Sequence, residues 1–209
     1  MASIEGTESA LVTASGMAAI SSALLALTQI GDHVVAQQGL YGGTHQFLVE
    51  YFTAMGRTVS FFDGEDLRSL ERAIGAKTRA VYVESVSNPL MRVIDLKGVV
   101  ALATSRGLTS FIDNTFPSPV NFNPAALGFD VVLHSATKYL NGHSDIVAGA
   151  VAAKRSLIER ITALVNHFGG CLDPNSCFLL NRGLKTLGVR VRQHGENAML
   201  LASALVGHP

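Results

Sequence analysis

The sequence contains no tryptophan, only two cysteines and few charged residues. The low numbers of cysteines and charged residues exclude several classes of protein. Cys171 and Cys177 are too few for a disulfide framework and lack the spacing of a zinc pair, so we expect reduced thiols in a cytoplasmic protein and no metal site. Charged residues make up 15% of the chain, with 16 basic and 16 acidic side chains. This balance argues against nucleic acid or membrane partners and favours a small molecule.

The N-terminus also lacks an export signal, because Glu5 and Glu8 occur there without a basic segment that leads into an apolar one. Residues 9–31 carry no charge, but they contain too many Ser, Thr and Gln side chains for a membrane span. We predict a buried helix in this stretch instead. With 209 residues and 48% hydrophobic content, the chain can form one sizeable domain.

Short β-branched runs alternate with longer segments of helical period, which is typical of an α/β protein. The predicted strands are 33–36, 58–61, 80–84, 109–113, 131–134 and 146–152. The predicted helices are 17–29, 44–55, 66–74, 96–105, 154–167, 177–187 and 191–205, with an irregular proline-rich crossing at 116–124. Because the strands are apolar on both faces, we predict a mostly parallel sheet with helices on both faces.

Polar side chains follow several of these strands, at the sheet edge where α/β proteins bind ligands. The segments VYVESVSNP, LTSFIDNT and DVVLHSATK place there Glu84, Asn88, Asp113, His134, Ser135, Thr137 and Lys138. Ser15 in TASGMAA is a plausible N-cap of a helix that begins with small residues. For His134 we predict a buried, hydrogen-bonded structural role.

Taken singly, these features have simpler interpretations: Ser15 as a helix cap, Asp113 as a turn residue and Lys138 as a surface charge. Together they describe a demanding site, because a helix start and the hydroxyls of Ser135 and Thr137 suit a phosphate. A desolvated Lys138 would favour its neutral amine and could form an imine with an aldehyde. Asp113 could keep a pyridine nitrogen protonated, so that the ring accepts electrons. Pyridoxal phosphate is the cofactor that needs a phosphate site, an amine for its aldehyde and a carboxylate for its ring nitrogen.

Six motifs support this hypothesis: SGMAAI at 15–20, YGGT at 41–44, ESVSNP at 84–89, DNTF at 113–116, SATKYLNGHSD at 135–145 and RGLKTL at 182–187. With them, nearly the whole chain resembles the Cys/Met metabolism, or transsulfuration, family of fold-type-I pyridoxal-phosphate (PLP) enzymes. The resemblance implies an α/β large domain of the PLP-dependent transferase type.

The resemblance also implies roles for individual residues. Lys138 matches the catalytic lysine that binds the cofactor, and Tyr41 would stack on the cofactor ring and assist proton transfer. Asp113 would pair with the ring nitrogen, and Asn88 would approach the phenolic oxygen. The remaining implied cofactor-binding residues surround the phosphate: Ser15, Gly16, Met17, Ser135 and Thr137.

The activity implied is γ-elimination or γ-replacement at a C–S or C–O bond of a cystathionine or O-acylhomoserine type substrate, in a homodimer or homotetramer. The NGHSD tail most resembles the cystathionine γ-lyase and γ-synthase group, and Gly43 replaces a cysteine that methionine γ-lyases tend to carry. Against that assignment, Gln46 lies where the cystathionine enzymes commonly have arginine. Methionine γ-lyase and O-acetylhomoserine sulfhydrylase activities therefore stay open as alternatives.

Members of this family are typically close to twice as long as this chain. We therefore expect residues 1–209 to form the PLP-binding large domain, without the family's N-terminal arm and its Tyr-x-Arg phosphate ligands, and without the C-terminal domain that supplies an arginine for the substrate carboxylate. A truncated, catalytically incomplete PLP-binding module is the second hypothesis.

Overall fold

A computed structural model describes residues 1–208 of the chain. The strands are β1 (Ser9–Thr13), β2 (His33–Gln37), β3 (Thr58–Phe62), β4 (Thr78–Glu84), β5 (Thr109–Asp113), β6 (Val131–His134) and β7 (Gly149–Ala153). The helices are α1 (Ala2–Glu5), α2 (Gly16–Leu27), α3 (Gly42–Gln46), α4 (Leu67–Ala73), α5 (Leu96–Ser105), α6 (Ser118–Asn121), α7 (Pro124–Leu127), α8 (Arg155–Phe168), α9 (Pro174–Leu184) and α10 (Leu187–Leu205). A π-helical segment, Phe47–Phe52, continues α3.

Within the described range, the seven strands form one sheet in the order β1-β7-β6-β5-β4-β2-β3. Strands β2 to β6 pair in parallel, whereas β7 pairs antiparallel with both β6 and β1. Helices cover both faces, so the predicted α/β class with a mostly parallel sheet is confirmed.

Both faces of the central strands are buried because neighbouring residues pack against different helices. Phe111 of β5 belongs to the cluster that also contains Leu24 of α2 and Ile161 of α8. Ile112, the next residue, packs on the opposite face with Val99 of α5. Side chains in a strand alternate between faces, so a strand covered on both sides must be apolar throughout, as the sequence indicated.

Several predicted boundaries need correction. The sequence predicts only the helix 17–29 in the uncharged stretch 9–31, whereas residues 9–13 form strand β1 and α2 begins at Gly16. The predicted strand 146–152 begins only at Gly149, since Ala148 instead pairs with the Thr137 hydroxyl. The crossing at 116–124 contains α6 and the start of α7.

The direction of the strands determines where the site forms. The parallel register pairs Glu84 of β4 with Asp113 of β5, and Asp113 with Leu133 of β6, so these carboxyl ends lie side by side. Because β7 is antiparallel to both β6 and β1, strand β1 runs in the same direction as β6. The end of β1 and the start of α2 therefore lie at the same edge of the sheet.

The structure also bears on the predictions about a membrane span, a metal site and the role of His134. None of the helices formed by residues 1–208 is long and apolar enough to cross a membrane. Within the same range, no group of three or more His, Cys, Asp or Glu side chains could hold a metal ion. His134 is buried, and its Nε2 lies 2.5 Å from Glu5 Oε1, which confirms its predicted structural role.

Gly149 permits the close approach of β7 to the start of α2. A Cβ atom at this position would overlap the carbonyl oxygen of Ser15. We predict that Gly149→Ala lowers the free energy of unfolding by about 1–3 kcal/mol, the usual range for overpacking. Gly75→Ala is the control, because nothing lies near its added methyl group. Urea denaturation of both variants measures the difference, and equal stabilities would contradict the packing argument.

Candidate active site

A cavity of about 1050 Å³ opens at the carboxyl edge of the sheet. It brings together all of the residues that the sequence predicted for the site: Ser15, Gly16, Met17, Tyr41, Asn88, Asp113, Ser135, Thr137 and Lys138. These residues come from five separate segments of the chain, so their convergence is a property of the fold. Gln46, considered for substrate recognition, does not line the cavity, and its amide donates to Glu50 Oε2 at 3.1 Å.

The start of α2 forms one end of the cavity. Ser15 caps this helix, since its Oγ accepts a hydrogen bond from the Ala18 N–H at 3.0 Å. The N–H groups of Gly16 and Met17 have no acceptor within the helix and lie at its positive dipole end. A Cβ atom on Gly16 would lie 2.9 Å from Ser135 Cβ, so only glycine allows the helix to approach Ser135 this closely. This arrangement suits an anion such as a phosphate group.

Asp113 provides a half-buried carboxyl group in the wall of the cavity. Its Oδ1 accepts hydrogen bonds from the Thr115 N–H at 2.9 Å and from Thr115 Oγ1 at 2.5 Å. Burial raises the pKa of Asp113, and the hydrogen bonds from Thr115 oppose that rise. Its Oδ2 has no hydrogen-bond partner among the described residues, so it is free to bind a cation in the cavity.

Thr115 is a site residue that sequence reasoning missed. Besides binding Asp113, its Oγ1 accepts a hydrogen bond from the Ser135 N–H at 2.8 Å. Thr115 thereby connects the carboxyl group to the segment that begins the Lys138 turn. The available signal was the Asp-x-Thr spacing within DNTF, because a backbone N–H two residues after an aspartate commonly donates to its side chain.

Lys138 lines the same cavity from a turn that follows β6. Its side chain is exposed, so the expectation of a desolvated amine is wrong for this structure. The strand is buried only to His134, after which the turn projects beyond the sheet edge, and residues 142–145 beside it are also exposed. The location of Lys138 beside the other site residues agrees with the prediction, whereas its burial does not.

Thr137 and Tyr41 also bring hydroxyl groups to the cavity. The Thr137 hydroxyl donates to the Ala148 carbonyl at 3.0 Å and accepts from the Ala148 N–H at 2.9 Å. Tyr41 is 49% exposed at the cavity wall, and its ring lies beside Gly43. A Cβ atom on Gly43 would lie 2.7 Å from Tyr41 Cε1, so a cysteine there would displace the ring.

Glu84 is a second carboxyl group of the cavity, more deeply buried than Asp113, and sequence reasoning assigned it no role. Its Oε1 accepts a hydrogen bond from the Tyr41 N–H at 2.7 Å, and its own N–H donates to Gln37 Oε1 at 3.1 Å. Burial, together with the nearby charge of Asp113, raises the pKa of Glu84 to about 8. At neutral pH this side chain is therefore mostly protonated, and it holds the backbone of Tyr41 in place.

The site fits pyridoxal phosphate in its chemistry. A phosphate matches the free N–H groups at the start of α2, and a ring N–H⁺ matches the unpartnered Oδ2 of Asp113. Lys138 is the amine in the same cavity. Fold and site together define an α/β domain that holds a phosphorylated cofactor at the carboxyl edge of its sheet.

Comparison with known proteins identifies the family. The chain belongs to the Cys/Met metabolism PLP-dependent enzymes, whose family model matches residues 1–209. The chain is 42% identical to cystathionine beta-lyase of Bacillus subtilis (strain 168), covering 100% of this chain and 54% of the relative. It is 43% identical to L-methionine gamma-lyase of Pseudomonas putida, covering 100% of this chain and 53% of the relative.

A solved structure agrees with this assignment. Cystathionine gamma-lyase from Lactobacillus plantarum, complexed with L-serine, superimposes with a TM-score of 0.95 at 39% sequence identity. The match covers 100% of this chain and 55% of that chain. This chain therefore spans about half the length of the relatives it matches. Since relatives with different named reactions have nearly equal identities, overall similarity does not select one reaction.

The raised pKa of Glu84 predicts a pH-dependent stability. A carboxyl group with a pKa near 4.5 when unfolded and about 8 when folded stabilises the fold below pH 4.5, and this contribution is lost as the pH rises through 8. Glu84→Gln removes the titration. Its unfolding free energy should therefore rise relative to the unmodified chain between pH 5 and pH 8, by at most about 1.4 kcal/mol per pH unit.

Urea denaturation at several pH values measures this difference. Glu159→Gln, which alters an exposed carboxyl group on α8, is the control and should show little change in relative stability. A Glu84→Gln difference that stays constant from pH 5 to pH 8 would contradict the raised pKa.

Proposed function

We propose that residues 1–209 are the cofactor-binding large domain of a PLP-dependent enzyme of sulfur amino acid metabolism. The reaction we propose is γ-elimination or γ-replacement at a C–S or C–O bond of a cystathionine or O-acylhomoserine type substrate. The single observation that supports this most is the convergence of an anion-binding helix start, the Asp113 carboxyl group and the Lys138 amine in one cavity.

Bound pyridoxal phosphate supplies an aldehyde that links to amines and a ring that accepts electrons from a substrate carbanion. The N–H groups of Gly16 and Met17 and the Ser135 hydroxyl would bind the phosphate. Ser15 supports this site by capping the helix. The Thr137 hydroxyl joins the phosphate ligands if it rotates away from Ala148, its present partner.

The other residues hold the ring and move protons. Asp113 Oδ2 would keep the proton on the ring nitrogen, while Thr115 fixes the carboxyl group through Oδ1. Tyr41 would pack on the ring face, and Asn88 would approach the phenolic oxygen. The Lys138 amine would accept the proton from the substrate α-carbon at Nζ and return it to a carbon further along the substrate side chain.

The γ-carbon chemistry of cystathionine-type substrates is favoured over methionine γ-lysis by the packing at Gly43. The Tyr41 ring occupies the space that a side chain at position 43 would need. Gln46 is an observation against this preference, because its neutral amide offers no charge for the distal carboxylate of a cystathionine-type substrate and donates to Glu50 instead. A lyase and a synthase would use the same residues described above, and would differ in whether a thiol adds to the unsaturated species left after the leaving group departs.

A catalytically incomplete binding module is the second candidate. It is favoured by the exposure of the Lys138 side chain. Assays with cystathionine, methionine and O-acylhomoserine distinguish the two candidates in the cofactor-loaded chain. Product from a cystathionine or O-acylhomoserine substrate supports the enzyme, whereas bound cofactor without product from any substrate supports the module.

We also propose a homo-oligomer, a dimer or a tetramer, in the cytoplasm. The oligomer is supported by the exposed apolar side chains of Leu90, Met91 and Val93, which follow the cavity residue Asn88. The location is supported by the thiols of Cys171 and Cys177, which are both free.

Borohydride reduction of the chain loaded with pyridoxal phosphate tests the assignment of Lys138. We predict a reduced pyridoxyl adduct on the peptide that contains Lys138, because this amine shares the cavity with the phosphate and ring ligands. Lys138→Ala should abolish the adduct. Lys154→Ala, which removes an exposed lysine outside the cavity, should leave it unchanged. Labelling spread over several lysines, or absent from Lys138, would overturn the assignment.

A further inference from the structure

The turn that carries Lys138 has backbone groups that find no partner within the turn. The Gly142 N–H donates to the Lys138 carbonyl at 2.8 Å, which closes the turn. The next two carbonyl groups are bound from outside, by the guanidinium of Arg190 on α10. Nη1 donates to the Tyr139 carbonyl at 2.9 Å, and Nη2 lies 3.4 Å from the Leu140 carbonyl.

The same guanidinium also binds α9 and the segment before α10. Its Nη2 donates to the Gly183 carbonyl at 2.8 Å, and its Nε donates to Thr186 Oγ1 at 3.0 Å. Arg190 therefore joins three backbone carbonyls and one hydroxyl from two parts of the chain that are about forty residues apart. Arginine suits this task because its planar group presents five donors in a fixed geometry.

Two glycines make room for these contacts. A Cβ atom on Gly142 would overlap the Arg190 guanidinium, and Gly142 has a φ of 73° that favours glycine. A Cβ atom on Gly183 would overlap the carbonyl oxygen of Asn141, so α9 also lies directly against the turn. Gly142 therefore leaves room for the arginine itself, and Gly183 allows α9 to lie against the turn.

We propose that Arg190 is a positioning residue, which holds the turn so that the Lys138 amine stays directed into the cavity. The role of Lys138 in this proposal rests on the proposed function. Leu140 is 2% exposed, so its carbonyl group lies in a largely buried part of the turn. Without Arg190, the two carbonyl groups lose their donors, and the turn must rearrange to find others.

Arg190→Met tests this proposal, with Arg192→Met as the matched control. Arg192 lies on the same helix, is exposed, and donates only to Gly188 of its own helix, at 3.1 Å. The measurement is the pyridoxal phosphate concentration that gives half-maximal borohydride labelling of Lys138. We expect Arg190→Met to raise it roughly 10-fold or more, the effect of leaving polar groups unpaired, and Arg192→Met to leave it unchanged.

Two further variants keep the test decisive. Arg190→Lys retains the charge but cannot reach three carbonyls from one ammonium, so it should give an intermediate increase. Gly142→Ala should reproduce Arg190→Met, since the methyl group displaces the guanidinium. The proposal is overturned if these variants remain folded and label Lys138 at the concentration of the unmodified chain. If Arg190→Met does not fold, Arg190→Lys becomes the test: a raised labelling concentration supports the positioning role, and an unchanged one overturns it.

The positioning role of Arg190 and the proposed function can be tested separately. An unmodified chain that gives no adduct at Lys138 contradicts the proposed function alone. The acylation rate of Lys138 in the cofactor-free chain, measured by mass spectrometry relative to Lys154, then tests the positioning role. A rate changed by Arg190→Met and unchanged by Arg192→Met supports that role, and equal rates in both variants contradict it.

Discussion

The site depends on the direction in which strands meet at one edge of the sheet. Parallel pairing of β4, β5 and β6 brings Glu84, Asp113 and the start of the Lys138 turn to a common edge. Two successive antiparallel pairings, through β7, restore the direction of β1 and bring the start of α2 to the same place. Neither the start of α2 nor the Asp113 carboxyl group would form this site alone.

Hydrogen bonds then join these parts into one unit. Thr115 binds both the Asp113 carboxyl group and the Ser135 backbone, and Glu84 holds the Tyr41 backbone. Arg190 of α10 donates to the Tyr139 carbonyl of the Lys138 turn and to the Gly183 carbonyl of α9. In each case one polar side chain satisfies the backbone or carboxyl group of a neighbouring segment. The need to pair these polar groups therefore also fixes how the segments of the site lie against one another.

The sequence predicted the sheet from local patterns, and it predicted the cavity residues partly from such patterns and partly, for Gly16, Met17 and Tyr41, from the family resemblance alone. Apolar runs that end in polar residues identified Asp113 and Lys138, since ligands bind where parallel strands end. Strand β1 escaped prediction because its uncharged residues continue into the uncharged helix α2 without a change in composition. The roles of Thr115 and Arg190 depend on tertiary contacts over twenty and about fifty residues, and no spacing rule reports those. The exposure of Lys138 depends on how far its turn projects, which a strand pattern does not determine.

The central claim is that this cavity binds a phosphorylated ring aldehyde through the start of α2. Calorimetric titration of the cofactor-free chain with pyridoxal phosphate and, separately, with pyridoxal tests it most directly. Because the N–H groups of Gly16 and Met17 should bind the phosphate by charge-assisted hydrogen bonds, we predict that pyridoxal binds roughly 100-fold more weakly or worse. Equal affinities for the two compounds, or no binding of pyridoxal phosphate, would contradict the account.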